Sequence, residues 1–255
     1  MLRAAFRLAR RVIRYVVAVA GLEFAAALLW PAPKMEEHDP SGEVGTGRPL
    51  HLVVLGDSTV AAPGLPSVDT NWTRQVAARM ADRYRVKITS LAVSGSKVRD
   101  LLDGQLSQAV KLRPDVVLVA VGANDVFRFV SKESFRRDLD RLVGRLVDVA
   151  PVVMLSGVGD LGTIPRFLPP LDRFYKERAR RFDGVHQSVA EKYGVAKVHQ
   201  WGEAAEVFRT GKDVFAADLF HASEVGHAVW ADVAWETLKP VLEARFPTTD
   251  HPTGG

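Results

Sequence analysis

Apolar and polar residues alternate along this chain with two periods. Short, predominantly apolar runs occur at Leu50–Leu55, Val86–Val93, Asp115–Val121, Pro151–Leu155 and Val195–Val198. Each is bounded by Gly, Pro, Ser or Asp and reads as a buried strand. Between them the period is helical. Asn71–Arg83 places Trp72, Val76 and Met80 on one face, and Val98–Leu112 does the same with Val98, Leu101, Leu102, Leu106, Ala109 and Val110. A third stripe runs through Phe135, Leu139, Leu142, Val143, Leu146 and Val147, with Ser131 or Ser134 as its cap. A charged helix over Leu171–Tyr193 and a closing helix from about Ser223 to Phe246 complete the pattern. Predominantly apolar strands separated by amphipathic helices predict an α/β fold, a three-layer α/β/α sandwich around a mostly parallel five-stranded sheet. In such sheets chemistry gathers at the carboxyl ends of the strands.

The ends of the chain depart from this pattern. Arg3, Arg7, Arg10, Arg11 and Arg14 share one helical face, and an apolar run from Tyr15 to Trp30 follows, broken only by Glu23. As a helix that run spans about 24 Å, against a bilayer core of about 30 Å; Val12 and Ile13 lengthen it if Arg14 snorkels. Three readings stay open for residues 1–33: an uncleaved signal anchor, a signal peptide cleaved near Ala25-Ala26-Ala27, or an amphipathic helix lying on the membrane. Either of the first two puts the remainder of the chain outside the cytoplasmic membrane. Residues 34–48 read as a linker because Pro31, Pro33, Pro40 and Pro49 and three Gly interrupt any period. The catalytic body is expected over 49–247 and a frayed tail over 248–255.

Composition sharpens this only in places. Of 255 residues, 47% are hydrophobic, enough for a sizeable core. There is no cysteine, which excludes disulfides, zinc–thiolate sites and a Cys nucleophile. The net charge of +4 is accounted for by the five N-terminal Arg against Glu23, so the body carries no excess that would imply nucleic-acid binding.

The chemistry lies in the loops at the expected strand ends. They carry Gly56-Asp57-Ser58-Thr59, Ser94-Gly95-Ser96 and Gly122-Ala123-Asn124-Asp125, and Asp218-Leu219-Phe220-His221 precedes the last helix. A serine hydroxyl is a poor nucleophile until a base takes its proton. Asp218 and His221 are three residues apart, so one loop presents both an imidazole and the carboxylate that orients it. The backbone N–H groups of Ser58 and Gly95 and the side-chain amide of Asn124 are candidate donors to the developing oxyanion. Asp57 and Asp125 are expected to brace their loops, and His227 to pack inside the last helix. The long Gly157–Pro170 segment reads either as a lid or acyl-binding wall or as a cover over the sheet edge. The basic run Arg173, Lys176, Arg178, Arg180, Arg181 reads as a solvated face, or as one that meets anionic headgroups.

These four blocks, in this order, resemble the SGNH (GDSL-type) serine hydrolase superfamily over about residues 50 to 246. The resemblance implies a flavodoxin-like SGNH hydrolase fold, the triad Ser58, Asp218, His221, and an oxyanion hole of Ser58, Gly95 and Asn124. It implies an esterase working through an acyl-enzyme on small-molecule, lipid or glycan esters, with no metal or organic cofactor. An O-acyltransferase or carbohydrate deacetylase of cell-envelope glycans, and a catalytically silent module of the same fold, are the alternatives. One departure is visible: the family often has Pro after the catalytic His, and this chain has Ala222.

Overall fold

The computed structural model describes residues 6, 10–19, 21–22, 33, 35–211 and 213–247. Six strands form one sheet: β1 (Gly42–Val44), β2 (Arg48–Gly56), β3 (Tyr84–Ser90), β4 (Val116–Ala120), β5 (Val152–Ser156) and β6 (Ala196–Val198). Their order is β1-β3-β2-β4-β5-β6, parallel throughout except for β1, which runs antiparallel to β3. The five expected strands are all present, and the sixth corrects the sheet count. It comes from the stretch read as linker. Gly42 and Val44 pair with Ile88 and Val86, and the Ser90 N–H donates to Ser41 Oγ at 2.9 Å. Three residues bounded by glycines are too short to show an alternation, so only the exposed edge of β3 gives them strand geometry.

The central strands β2, β4 and β5 bury both faces, as their continuous apolar character requires, whereas β3 alternates and leaves Arg85 and Lys87 exposed. Val53, Leu55, Val117, Val119, Val153 and Leu155 face one core. Leu52, Val54, Val116, Leu118, Val152 and Met154 face the other. The second core is closed by α2 (Trp72–Met80) and α9 (Glu224–Arg245). The first is closed by α6 (Lys132–Leu146), α7 (Leu171–Tyr193) and a helix in three pieces: α3 (Val98–Asp100), a π turn over Leu101–Gln105, and α4 (Leu106–Leu112). Ser131 caps α6 and Ser223 caps α9, each accepting a backbone N–H two or three positions inside. A helix over Glu203–Thr210 (α8) was not evident from the sequence, because Ala204, Ala205 and Phe208 alone mark its buried face.

The parallel strands run in the order third, second, fourth, fifth, sixth. After β2 the chain moves outward to β3, then crosses back to β4 on the other side. The gap between the carboxyl ends of β2 and β4 is therefore the topological switch point, where a crevice opens. Residues 10–19 are helical and largely exposed. Among the described residues no helix is long and apolar enough to cross a membrane. Residues 23–32 of the expected anchor, and the expected tail 248–255, lie outside the described residues.

Candidate active site

Ser58 opens the four-residue helix α1 (Ser58–Ala61) directly after β2, and Asn124 lies in the short α5 (Ala123–Phe127) directly after β4. They therefore flank the switch point. Gly56, the last residue of β2, has no room for a side chain: a Cβ would sit 2.6 Å from the Ala120 carbonyl. Its peptide is held from behind by Gln105, a buried residue that accepts from Gly56 N–H and donates to Gly56 C=O, both at 2.9 Å. The π turn ends at Gln105. Nothing in its sequence period marked this residue, because its task is set by a strand about fifty positions away.

Asp57 caps α1, accepting Thr59 N–H at 2.9 Å through one carboxylate oxygen, while the other accepts the Asn124 amide Nδ2–H at 3.1 Å. This fixes which end of the Asn124 amide carries its donors and leaves a second N–H for another acceptor. Burial pushes the Asp57 carboxyl up against the opposing hydrogen bonds. Asp125 is also buried and accepts Val98 N–H at 3.1 Å; burial, reinforced by the nearby Asp57 charge, takes it up to about 7. Both aspartates brace their loops.

The fourth block is a tight turn. Asp218 Oδ1 accepts the amides of Phe220 and His221, both at 3.0 Å, and Leu219, between Asp218 and Phe220, takes φ 57°. Asp218 Oδ2 lies 2.6 Å from His221 Nδ1. Burial alone would raise the Asp218 carboxyl, but the hydrogen bonds from the His221 ring and the two amides outweigh it and hold the carboxyl low. An ionised acceptor requires the proton on Nδ1, which leaves Nε2 free to accept one. Arg166 reaches over from the Gly157–Pro170 segment, donates from Nε to the Asp218 carbonyl at 2.6 Å, and lies across the Phe220 ring. No spacing in the sequence linked Arg166 to this turn.

Ser58, Asn124 and His221 line one cavity of about 130 Å³. Its walls are mainly apolar, with Phe127, Leu161, Ile164, Phe208, Phe215 and Trp230 prominent. The Gly157–Ile164 part of the Gly157–Pro170 segment thus forms a wall of the cavity; beyond it Phe167 packs inward, 4.6 Å from Tyr175 between ring centroids, and Leu168 is exposed outside the cavity. The polar groups at the wall are mostly engaged: Gln200 donates to Ser156 Oγ at 2.8 Å, and Asp160 pairs with Lys176 and Arg209. His227 also lines the cavity. It accepts Trp72 N–H on Nδ1 at 3.2 Å, and burial, with His221 nearby, lowers it to about 3, so it is neutral. Gly95 is not among the lining residues. It takes φ 80°, a conformation suited to glycine, with Arg128 3.2 Å from where a Cβ would be. Among the described residues no three of His, Asp and Glu are grouped to hold a metal ion. The basic run on α7 is largely occupied: Arg178 donates to the Val126 and Val130 carbonyls, Arg180 covers Trp201, and Arg181 pairs with Glu177.

Residues 54–229 match the model of the GDSL-like lipase/acylhydrolase family. The chain is 25% identical over 209 residues to the GDSL-like esterase Rv1075c of Mycobacterium tuberculosis. That match covers 80% of this chain and 66% of the relative, just under two thirds of its length. Among solved structures, TesA superposes with a TM-score of 0.61 at 24% identity, over 75% of this chain and 99% of TesA. A catalytic mutant of Axe2, an acetylxylan esterase from Geobacillus stearothermophilus, superposes with a TM-score of 0.62 at 20% identity, over 76% of this chain and 96% of Axe2. At these identities the two structures speak to the fold, which they share.

Proposed function

We propose, from the premise that this chain belongs to the GDSL-like lipase/acylhydrolase family, that it is a serine esterase of carboxylic esters acting through an acyl-enzyme. The observation that carries this reading is His221, hydrogen-bonded to Asp218 on its far nitrogen, lining one apolar cavity with Ser58 and Asn124. In this mechanism His221 Nε2 takes the Ser58 proton as Oγ attacks the ester carbonyl. Asp218 holds the ring and stabilises the imidazolium. The amide of Ser58 and the free N–H of Asn124 receive the oxyanion, with the Gly95 amide, outside the cavity lining, as the third donor implied by the resemblance alone, and the alcohol leaves with the proton from His221. A water deprotonated by His221 then releases the acid.

The cavity favours an ester with an apolar acyl group. A sugar-binding acceptor site, which an O-acyltransferase or glycan deacetylase would need, calls for unengaged polar groups, and those at this wall are mostly paired with one another. We further assign residues 1–33 to membrane attachment or export, with the body outside the cytoplasmic membrane. Residues 35–48 belong to the body, since they pair with it in β1 and at His38 N–H to the Ala61 carbonyl.

The test is hydrolysis of a p-nitrophenyl ester series by wild type and Ser58→Ala. Wild type should prefer an acyl chain longer than acetyl, and Ser58→Ala should lose nearly all activity while remaining folded. A folded Ser58→Ala protein that keeps most of its activity would overturn the serine mechanism. A wild-type protein inactive on every ester would favour a silent module.

A further inference from the structure

We propose that the face around the cavity mouth, at the carboxyl ends of the strands, is a lipid-docking surface through which the active site is held against a bilayer. This rests on the proposed membrane attachment of residues 1–33 and adds which face meets the membrane.

The first observation is where the N-terminal segment joins the body. Gly64 N–H donates to the Glu36 carbonyl at 2.8 Å, His38 N–H to the Ala61 carbonyl at 3.2 Å, and Met35 packs on Gly64. Ala62, in the same turn, lines the cavity. The junction is thus beside the active site and not at the far end of the sheet. Five residue steps separate Trp30, the end of the apolar run, from Met35. Fully extended they reach about 18 Å. A body of this size is roughly 40 Å across. With the apolar run in a bilayer, the tether is too short for the opposite face to turn toward the lipid.

The second observation is independent of the first. Large apolar side chains are exposed on this same face: Phe129 (57%), Leu168 (60%), Phe174 (45%) and Leu219 (37%). They are connected to the junction and to each other. Ala216 lies against Gly64, and Leu219 N–H donates to the Ala216 carbonyl at 2.9 Å. Arg166, two residues before Leu168, is bonded to Asp218. Phe220 packs on Phe127 at 5.4 Å, and Phe129 packs on Phe174 at 6.1 Å. Phe129 is held at φ 55°, unusual for a bulky residue, with its ring outward over Arg178. Single exposed apolar residues are ordinary, but several on one side of a cavity, adjoining an apolar tether, mark a docking surface. The occupant is a lipid surface because the tether's sequence, an arginine-rich face leading into an apolar run, is that of a membrane-seeking segment. An ester with an apolar acyl group would then pass from bilayer to cavity without its chain crossing water.

The chain has no cysteine, so single labels are clean. Full-length Phe129→Cys, Leu168→Cys and Phe174→Cys proteins, and Lys111→Cys at the amino-end face as control, are labelled with an environment-sensitive fluorophore. They are then mixed with vesicles of phosphatidylcholine and phosphatidylglycerol. The three mouth labels should shift to the blue and be quenched by spin-labelled lipid, with the Lys111 label unchanged. Vesicle-bound protein whose mouth labels stay in water, or whose four labels respond alike, would overturn the proposal. So would burial of the mouth labels without lipid on raising protein concentration, which would mean a second copy covers the face. Protein that fails to sediment with vesicles at all would overturn both this inference and the membrane assignment. In a parallel arm, Phe129→Ser/Leu168→Ser/Phe174→Ser should hydrolyse soluble p-nitrophenyl acetate as wild type does, and a vesicle-embedded long-chain ester roughly tenfold more slowly. Equal loss on both esters would also count against docking. Absence of soluble-ester hydrolysis in wild type would instead break the esterase reading, which the label shifts do not depend on.

Discussion

Asn124 and Asp125 are neighbours with different work, and substitution separates them. The Asn124 amide is positioned by Asp57 and proposed to donate to a charge that exists only in the transition state. Asn124→Ala should lower kcat by roughly 10²–10³-fold with KM much less affected. Asn124→Asp should be at least as harmful, because it offers no donor and sets a carboxylate beside Asp57. An Ala variant with normal kcat and a lowered melting temperature would reduce Asn124 to a turn residue. Asp125, in contrast, is a stability residue. Its folded pKa of about 7 lies above the ordinary carboxylate value, so its contribution is fully present below pH 3.8 and is lost as pH rises through about 7. Asp125→Asn retains an acceptor for Val98 N–H and cannot ionise. Its melting temperature relative to wild type should therefore climb between pH 4 and pH 8, as thermal scans across that range would record. A difference independent of pH would contradict the assignment.

The strand end before Ser58 is held by a side chain on a distant helix, and the clamp can be tested as a unit. Gln105→Leu keeps the bulk but removes both bonds to the Gly56 peptide, leaving its buried N–H without that acceptor. A loss of about 1–3 kcal/mol is expected from chemical denaturation. Because Gly56 leads directly into Asp57 and Ser58, esterase activity per folded molecule should fall as well. Full activity in the surviving folded fraction would mean that Asp57 alone suffices to set the position of Ser58. The same elements explain what the sequence hid. The apolar stripe of Val98–Leu112 announced a helix, but the π turn within it changes no residue type. It became apparent only where the Gln105 side chain meets a strand.

Across the whole molecule, opposing buried groups set the response to acid. His227 is lowered to about 3 and His186 to about 4, each chiefly by burial. Their neutral forms contribute stability above pH 6.5, and this is lost as pH falls through 6.5 toward 3–4. Asp57, Asp125 and Asp183 are raised by burial and act in the opposite sense as pH falls. His227→Asn keeps an acceptor for Trp72 N–H and removes one acid-sensitive group, so its stability relative to wild type should improve from pH 7 to pH 4. Denaturant midpoints at the two values would measure it, and an unchanged difference would exclude His227 as an acid-labile group.

Much of this protein could be read from its order of residues. The five parallel strands, the helices between them, the Ser131 and Ser223 caps, the placing of Ser58, Gly95 and Asn124 soon after strand ends and that of Asp218 and His221 just before the last helix depend on local period and on groups close in the chain, which a linear pattern records. The resemblance to a hydrolase family likewise came from motifs in sequence order. The tertiary structure decided what depends on distant partners. It made a strand of Gly42–Val44 by offering the edge of β3, joined Asn124 to Asp57 and Arg166 to Asp218, clamped Gly56 with Gln105, and brought exposed Phe129, Leu168 and Phe174 to the face where the N-terminal segment joins. The physical reason is the same for each. A short strand, a buried amide and a guanidinium have no preferred partner within their own segment, so their energies are set by whichever groups the sheet topology brings within bonding distance.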